Sequence, residues 1–181
     1  MLFAHWRVRR ANRLLIDQIH GEIVAAARAP ALYRDAGVAD TIEGRFEMVV
    51  LHAALLVRRL LALGPRGQDM AQELVDRVFR GFEDALREMA IGDAGVARRI
   101  KAMAGDFAGR SRAYAATLDS GDEAALAAAL ARNVYGASAV PPEATSLARR
   151  VAAVVAALDQ ARYEDFAAAR FRFPPSEGET R

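Results

Sequence analysis

Residues 40–63 read DTIEGRFEMVVLHAALLVRRLLAL, and this stretch decides the fold. Ile42, Phe46, Val49, Val50, Ala53, Leu56 and Leu60 recur at helical spacing and form one face. Met48, Leu51 and Leu55 fall elsewhere on the wheel, so the middle of the helix is apolar nearly all round. Such a helix belongs at the centre of a domain, because no side of it suits water. Asp40, with Glu43 three residues on, has the spacing of a capping box and predicts the start. Gly64-Pro65-Arg66-Gly67 ends the pattern after about Leu63.

The same periodicity runs outward in both directions. Arg7 to Arg28 is predicted helical through Leu14, Leu15, Ile16, Ile19, Ile23 and Val24. Pro30 opens a short helix through Tyr33 and Arg34, since its missing N–H would be unpaired there anyway, and Gly37 reads as a left-handed stop. Beyond the break, Gln68 to Ala90 is amphipathic through Leu74, Val75, Val78, Phe79, Phe82, Leu86 and Met89. Gly92 suits a C-terminal cap, and Asp93 an N-cap for a helix from Ala94 to Leu118. Ser120 and Glu123 repeat the capping-box spacing before an Ala-rich helix ending near Asn133. After a loop over 136–142, a last helix from Glu143 to about Arg170 buries Leu147, Val151, Val154, Val155, Leu158 and Phe166. No segment alternates as a half-buried strand does. The expectation is an all-α protein: a single compact, bundle-like domain of six to seven helices over residues 1–172, with a disordered tail from Phe173.

Composition removes whole classes of chemistry. At 181 residues the chain suits one domain that buries a core without covalent staples. It has no cysteine, so disulfides, thiolate metal sites and a cysteine nucleophile are excluded. Only His5, His20 and His52 are present, and Glu47 and His52 are five apart, on different helix faces. There is no H-E-x-x-H, no Gly-rich phosphate loop and no G-x-S-x-G. Accordingly no catalytic residue, metal site or cofactor is predicted, and the chain is read as a binding protein, not an enzyme. His52, in the most apolar stretch, is expected to be a neutral core histidine bonded to a backbone carbonyl or a carboxylate. The competing reading, a small-molecule or catalytic site around it, requires a polar cavity there.

Net charge is only +2, and all basic residues but Lys101 are arginines, so nothing points to DNA. The longest apolar run, Met48 to Val57, is far short of a membrane span. The start, MLFAHWRVRR, carries no signal-peptide pattern, which sets cytoplasmic residence as the expectation. Phe3, Trp6, Arg7, Arg9, Arg10 and Arg13 have the pattern of a basic arm able to touch anionic lipid at the cytoplasmic face of the inner membrane. So short a pattern fits a solvated helix start better.

Two places conflict with local preference, and such conflicts mark sites. Gly44 sits in a helix's first turns, and Arg45 sets a positive charge at the positive end of the helix dipole. Both make sense if another segment passes close to Gly44 and an acid, Glu88 or Asp93, pairs with Arg45. The second conflict is in the helix after Asp93. Opposite its core stripe (Val96, Ile100, Met103, Phe107, Tyr114, Leu118) lies a stripe of Ala102, Gly105, Gly109, Ala113 and Ala116. Arg98, Lys101 and Arg112 border it on one side, Arg99 and Arg110 on the other. Mid-helix glycines are costly unless a backbone approaches closely. Charge is segregated too: Gln68–Ala90 has six acids against three arginines, Ala94–Leu118 five bases against one aspartate. Either a partner's helix or the C-terminal helix of this same chain covers the small-residue face.

Three runs carry a family resemblance: IVAAARAPALYRDAGVADTIEGRFEMVVLHAALLVRRL (23–60), FEDALREMAIGDAGVARRIKAMAGDFAGRSRAYAATL (82–118) and LAAALARNVYG (126–136). The matching pieces are Asp40-Thr41, Gly44-Arg45-Phe46, Leu51-His52, Arg58-Arg59-Leu60, Leu86-Arg87-Glu88-Met89, Gly92-Asp93, Lys101, Met103, Gly109-Arg110, Tyr114 and Ala131-Arg132-Asn133. In these the chain resembles the ubiquinol–cytochrome c chaperone family over about residues 20–136, and not in the last helix or tail. Ala39 stands where proline is expected, Ala90 where glycine is usual, and Ala108 where an aromatic residue often precedes Gly109-Arg110. The resemblance implies an assembly chaperone for ubiquinol–cytochrome c reductase that binds newly made cytochrome b. Mitochondrial members also work with a small partner protein and the translating ribosome, and for this chain both partners stay open. With no long targeting extension, a bacterial member is the simpler reading. Arg45, Arg58, Arg59, Arg87, Glu88, Asp93, Arg98, Lys101, Arg110, Arg112 and Arg132, with Gly105 and Gly109, are the expected partner-binding positions. The alternative is a basic helical RNA- or ribosome-binding module whose arginines contact phosphates.

Overall fold

The computed structural model describes residues 2–174, with side chains from Asn12 onward. The described residues form helices and connecting loops, with no strand among them. Six helices are long: α1 (Leu2–Ala27), α3 (Ile42–Ala62), α4 (Pro65–Glu88), α5 (Asp93–Ser120), α6 (Glu123–Val134) and α7 (Pro142–Gln160). Two are single turns, α2 (Pro30–Arg34) and α8 (Tyr163–Ala167). The all-α single domain read from the sequence is the one observed.

α3 is the axis. Met48, Val50, Leu51, Ala53, Leu55, Leu56 and Leu60 are all buried within it, as its all-round apolarity requires. α1, α4, α5, α6 and α7 pack around it, and α3 and α4 form an antiparallel pair across a two-residue turn. Ile16, Ile19 and Ile23 of α1, Leu74 and Val78 of α4, Tyr114 of α5, Leu130 of α6 and Val151 of α7 close the core on it.

Several boundaries differ from the sequence reading, each for a local reason. Thr41, not Asp40, caps α3: its Oγ1 accepts from the Gly44 N–H at 3.1 Å, leaving the Asp40 carboxylate free for Arg45. α4 begins at Pro65 instead of Gln68, with Gly64 at φ +82 supplying the turn. At the α4–α5 junction the left-handed residue is Ala90 (φ +56), where glycine was expected by resemblance, while Gly92 is the N-cap of α5 and Asp93 its first residue. Asp122, not Ser120, caps α6 through the Ala125 N–H at 2.8 Å, and Gly121 (φ +67) ends α5. Ile42 and Met89, placed on buried stripes by periodicity, are 63% and 48% exposed because they lie at helix ends, beyond the neighbours that would cover them.

The largest departure is at the C-terminal end. The helix predicted to run to Arg170 breaks after Gln160, and α8 follows as a separate turn. Leu158 and Phe166 are both buried and their spacing mimics one continuous helix, which hides the break. Arg59 causes it: its Nη2 and Nε donate to the Ala161 carbonyl at 2.6 and 3.1 Å, and the Asp165 carboxylate takes the Arg162 N–H at 2.8 Å. The chain then returns over the core, Phe166 and Phe171 packing tilted and Phe171 and Phe173 edge-on, with ring centroids 5.0 Å apart at each step. Phe173, where a disordered tail was expected to begin, packs on His52. Residues 175–181 and the side chains of Phe3, Trp6, Arg7, Arg9 and Arg10 lie outside the described residues.

Candidate partner-binding face

α5 turns its apolar stripe inward: Val96, Phe107 and Tyr114 are buried, with Tyr114 at the centre and its phenol pushed up to about 12 by burial. The opposite side is open. Ala102, Gly105, Gly109 and Ala116 are exposed, and a Cβ built on Gly105 or Gly109 meets nothing within 4 Å. The C-terminal helix does not cover this face. α7 packs on α6 and α3. The small-residue stripe is therefore bare backbone on the surface, with no intramolecular reason for its glycines among the described residues.

The charged positions predicted from sequence separate into three groups. Along the open face of α5, Arg98, Lys101 and Arg112 are exposed and meet no carboxylate among the described residues, and Arg132 on α6 is likewise exposed. At the end of the bundle where α3 starts and α4 stops lie Arg45, Arg87, Glu88 and Asp93. The antiparallel pairing brings them there, and Phe46 and Phe82 pin it with ring centroids 4.8 Å apart. Arg45 pairs with Asp40 at 2.7 Å, not with Glu88 or Asp93, because the Thr41 cap turns Asp40 alongside it. That hydrogen bond holds the Asp40 carboxyl below its usual range. Arg87 bridges Glu83 at 2.9 Å and Asp93, tying the end of α4 to the start of α5, while Glu88 is exposed. Gly44 is explained as anticipated: a Cβ there would stand 2.0 Å from the Ala39 carbonyl oxygen, so the incoming chain passes directly over it.

The third group works inside the molecule. Arg58 holds Asp119 of α5 at 2.8 Å and Asp159 of α7 at 3.4 Å, and Arg59 holds the α7 terminus. Arg110 leans inward from α5 to Glu47 of α3 at 2.7 Å, with side chains only 18% and 12% exposed. Burial pushes the Glu47 carboxyl up, against the pull of Arg110. His52 is the neutral core histidine expected: its Nδ1 donates to the Met48 carbonyl at 2.7 Å, and burial lowers its affinity for a proton.

Sequence reasoning missed two apolar members of the candidate surface. Ile42 and Met89 stand exposed at the same end as Arg45, Arg87 and Glu88. Their position at helix ends, Ile42 just after the N-cap Thr41 and Met89 itself the C-cap of α4, was the signal that periodicity overrode. Among the described residues no group of three or more acids and histidines is placed to hold a metal, and no helix is long and apolar enough to cross a membrane.

A family model, Ubiquinol-cytochrome C chaperone, matches residues 34–173. That span includes α7 and α8, where no resemblance was read. α7 keeps its place through Ala, Val and Leu burial and α8 through Phe166 alone, which leaves no distinctive motif. The chain is also similar to a solved structure, "Crystal structure of the Cbp3 homolog from Brucella abortus", at 36% identity and a TM-score of 0.84, covering 96% of this chain and 97% of that one. No curated protein matches.

Proposed function

The chain belongs to the ubiquinol–cytochrome c chaperone family, and from that premise we propose that it binds newly made cytochrome b and supports assembly of ubiquinol–cytochrome c reductase. One observation supports a location for this binding: the bare, glycine-containing face of α5, along which Arg98, Lys101 and Arg112 meet no carboxylate among the described residues. Small residues let a second helix approach to backbone contact, and a helix destined for a membrane offers such a surface. Ile42 and Met89 add exposed apolar area at the α3–α4 end. Recognition is equilibrium binding with no covalent step. Arg45, Arg87, Glu88, Asp93 and Arg132 form its polar surround, while Arg58, Arg59 and Arg110 act by holding the helices in register.

The test is genetic and optical. In a bacterium deprived of its own family member, this chain is expected to restore haem-b absorbance and ubiquinol–cytochrome c reductase activity in membranes. A variant with Gly105→Leu and Gly109→Leu, folded by circular dichroism, is expected to fail. Unchanged cytochrome b in the deleted strain defeats the assembly role. Full rescue by the double variant defeats the assignment of the face.

A further inference from the structure

Between α1, α2, α3 and α7 lies a cavity of about 610 Å³ that neither the family nor the α5 face accounts for. It falls within the roughly 300–1,000 Å³ range of small-molecule sites. Leu51, Leu55, Leu147, Val151 and Phe173 make its walls largely apolar. Two polar groups are fitted into them. His52, 7% exposed, spends its Nδ1–H on the Met48 carbonyl, which can only accept. Nε2 is thereby fixed as an acceptor, and no donor among the described residues bonds to it. Arg150 carries a permanent charge and lines the cavity.

The remaining charges of the lining are engaged or leave a positive excess. Glu22 is taken by Arg172 at 3.3 Å, and Arg149 faces Glu123 at 3.6 Å. Arg150 and, at the surface end, Arg28 line the cavity, and neither pairs with a carboxylate among the described residues. Two lining guanidinium groups, Arg150 and Arg28, with no ion-pair partner among the described residues favour an anion at this end of the cavity. The cavity thus asks for an anionic group, a hydroxyl donor and an apolar chain in one molecule.

We propose that this cavity binds a single-chain anionic lipid of the lysophospholipid class, its phosphate on Arg150 and Arg28, its glycerol hydroxyl donating to His52, and its acyl chain along the leucine and valine walls. The experiment is isothermal titration of the full chain with 1-oleoyl lysophosphatidic acid below its micelle concentration. Expected is one saturable site. Arg150→Gln weakens it tenfold or more, Arg150→Lys weakens it much less, and Val154→Trp, which fills the lining, abolishes it with the helical spectrum unchanged. Arg28→Gln gives the same direction at an exposed position and serves if Arg150→Gln does not fold. Glycerol phosphate, the head without its chain, and monooleoylglycerol, the chain without its charge, each bind at least tenfold more weakly. Absence of saturable binding overturns the proposal. So does undiminished binding by Val154→Trp, or equal affinity for either truncated probe.

Discussion

Replacing Arg110 by methionine tests how α5 is held against the central helix. In the folded chain Arg110 Nη2 meets Glu47 at 2.7 Å, and a second contact to Asp106 at 3.4 Å lies on the solvent side. Removing one partner of a fully buried pair costs roughly 3–5 kcal/mol, mostly because the other charge is stranded. Here the pair lies at the edge of the core, and Arg110 Nε and Glu47 Oε2 have no partner among the described residues, so the contact is incompletely satisfied. A cost of about 2–4 kcal/mol follows, or a fall in Tm of roughly 5–15 °C for a chain of this size. The variant also acquires a pH signature. Burial already holds the Glu47 carboxyl above its ordinary 4.5, and without Arg110 it rises further. The folded state then keeps a proton that the unfolded state releases, so stability falls as pH climbs from about 4.5 through the folded value. Adding Glu47→Gln removes the stranded charge and is expected to recover half or more of the loss and flatten the pH dependence. Urea unfolding of the four-member cycle across pH 4.5–8 reads all of this. A single variant within about 0.5 kcal/mol of wild type, or strictly additive substitutions, refutes the reasoning.

Ala90→Gly relieves a left-handed residue at φ +56 and is expected to stabilise the chain by about 1 kcal/mol in urea unfolding. No gain contradicts the assigned junction. Gly105→Ala adds a Cβ in open space and is expected to raise stability by about 0.5–1 kcal/mol, since the folded monomer makes no use of that glycine. A loss would mean that the face is covered. His20 is held down to about 4 chiefly by burial, with Arg77 and Arg80 adding to it against Asp17. The unfolded chain therefore takes up a proton that the folded chain refuses, and stability drops as pH falls from about 6.5 to 4. His20→Gln should make that drop shallower, and an unchanged urea-midpoint profile refutes the assignment.

Residues 40–63 made the central helix legible because burial on every side leaves one position for it, and α3 sits there. The boundaries were less legible wherever two residues compete for one role. Thr41 and Asp40 are both capping types, and only Arg45 beside Asp40 decides between them. The break after Gln160 was invisible because Arg59, a hundred residues earlier in the chain, imposes it while the apolar spacing runs on. The open face of α5 was readable as small residues opposite a core stripe. Its being uncovered depends on where α7 packs, which periodicity does not contain. Arg110 belonged by spacing to the border of that face, yet a long side chain near the edge of a stripe reaches either way, and Glu47 draws it in. Ile42 and Met89 show the converse error, apolar residues on the right face but past the end of their cover.

We propose that the bare face of α5 receives a client helix of cytochrome b, and site-specific photo-crosslinking reads that contact. A photoreactive residue at Gly105 is expected to capture newly made cytochrome b in cells, and the same residue at exposed Gln72 on α4 is not. Capture at Gln72 and none at Gly105, in chains expressed to the same level, would contradict the account.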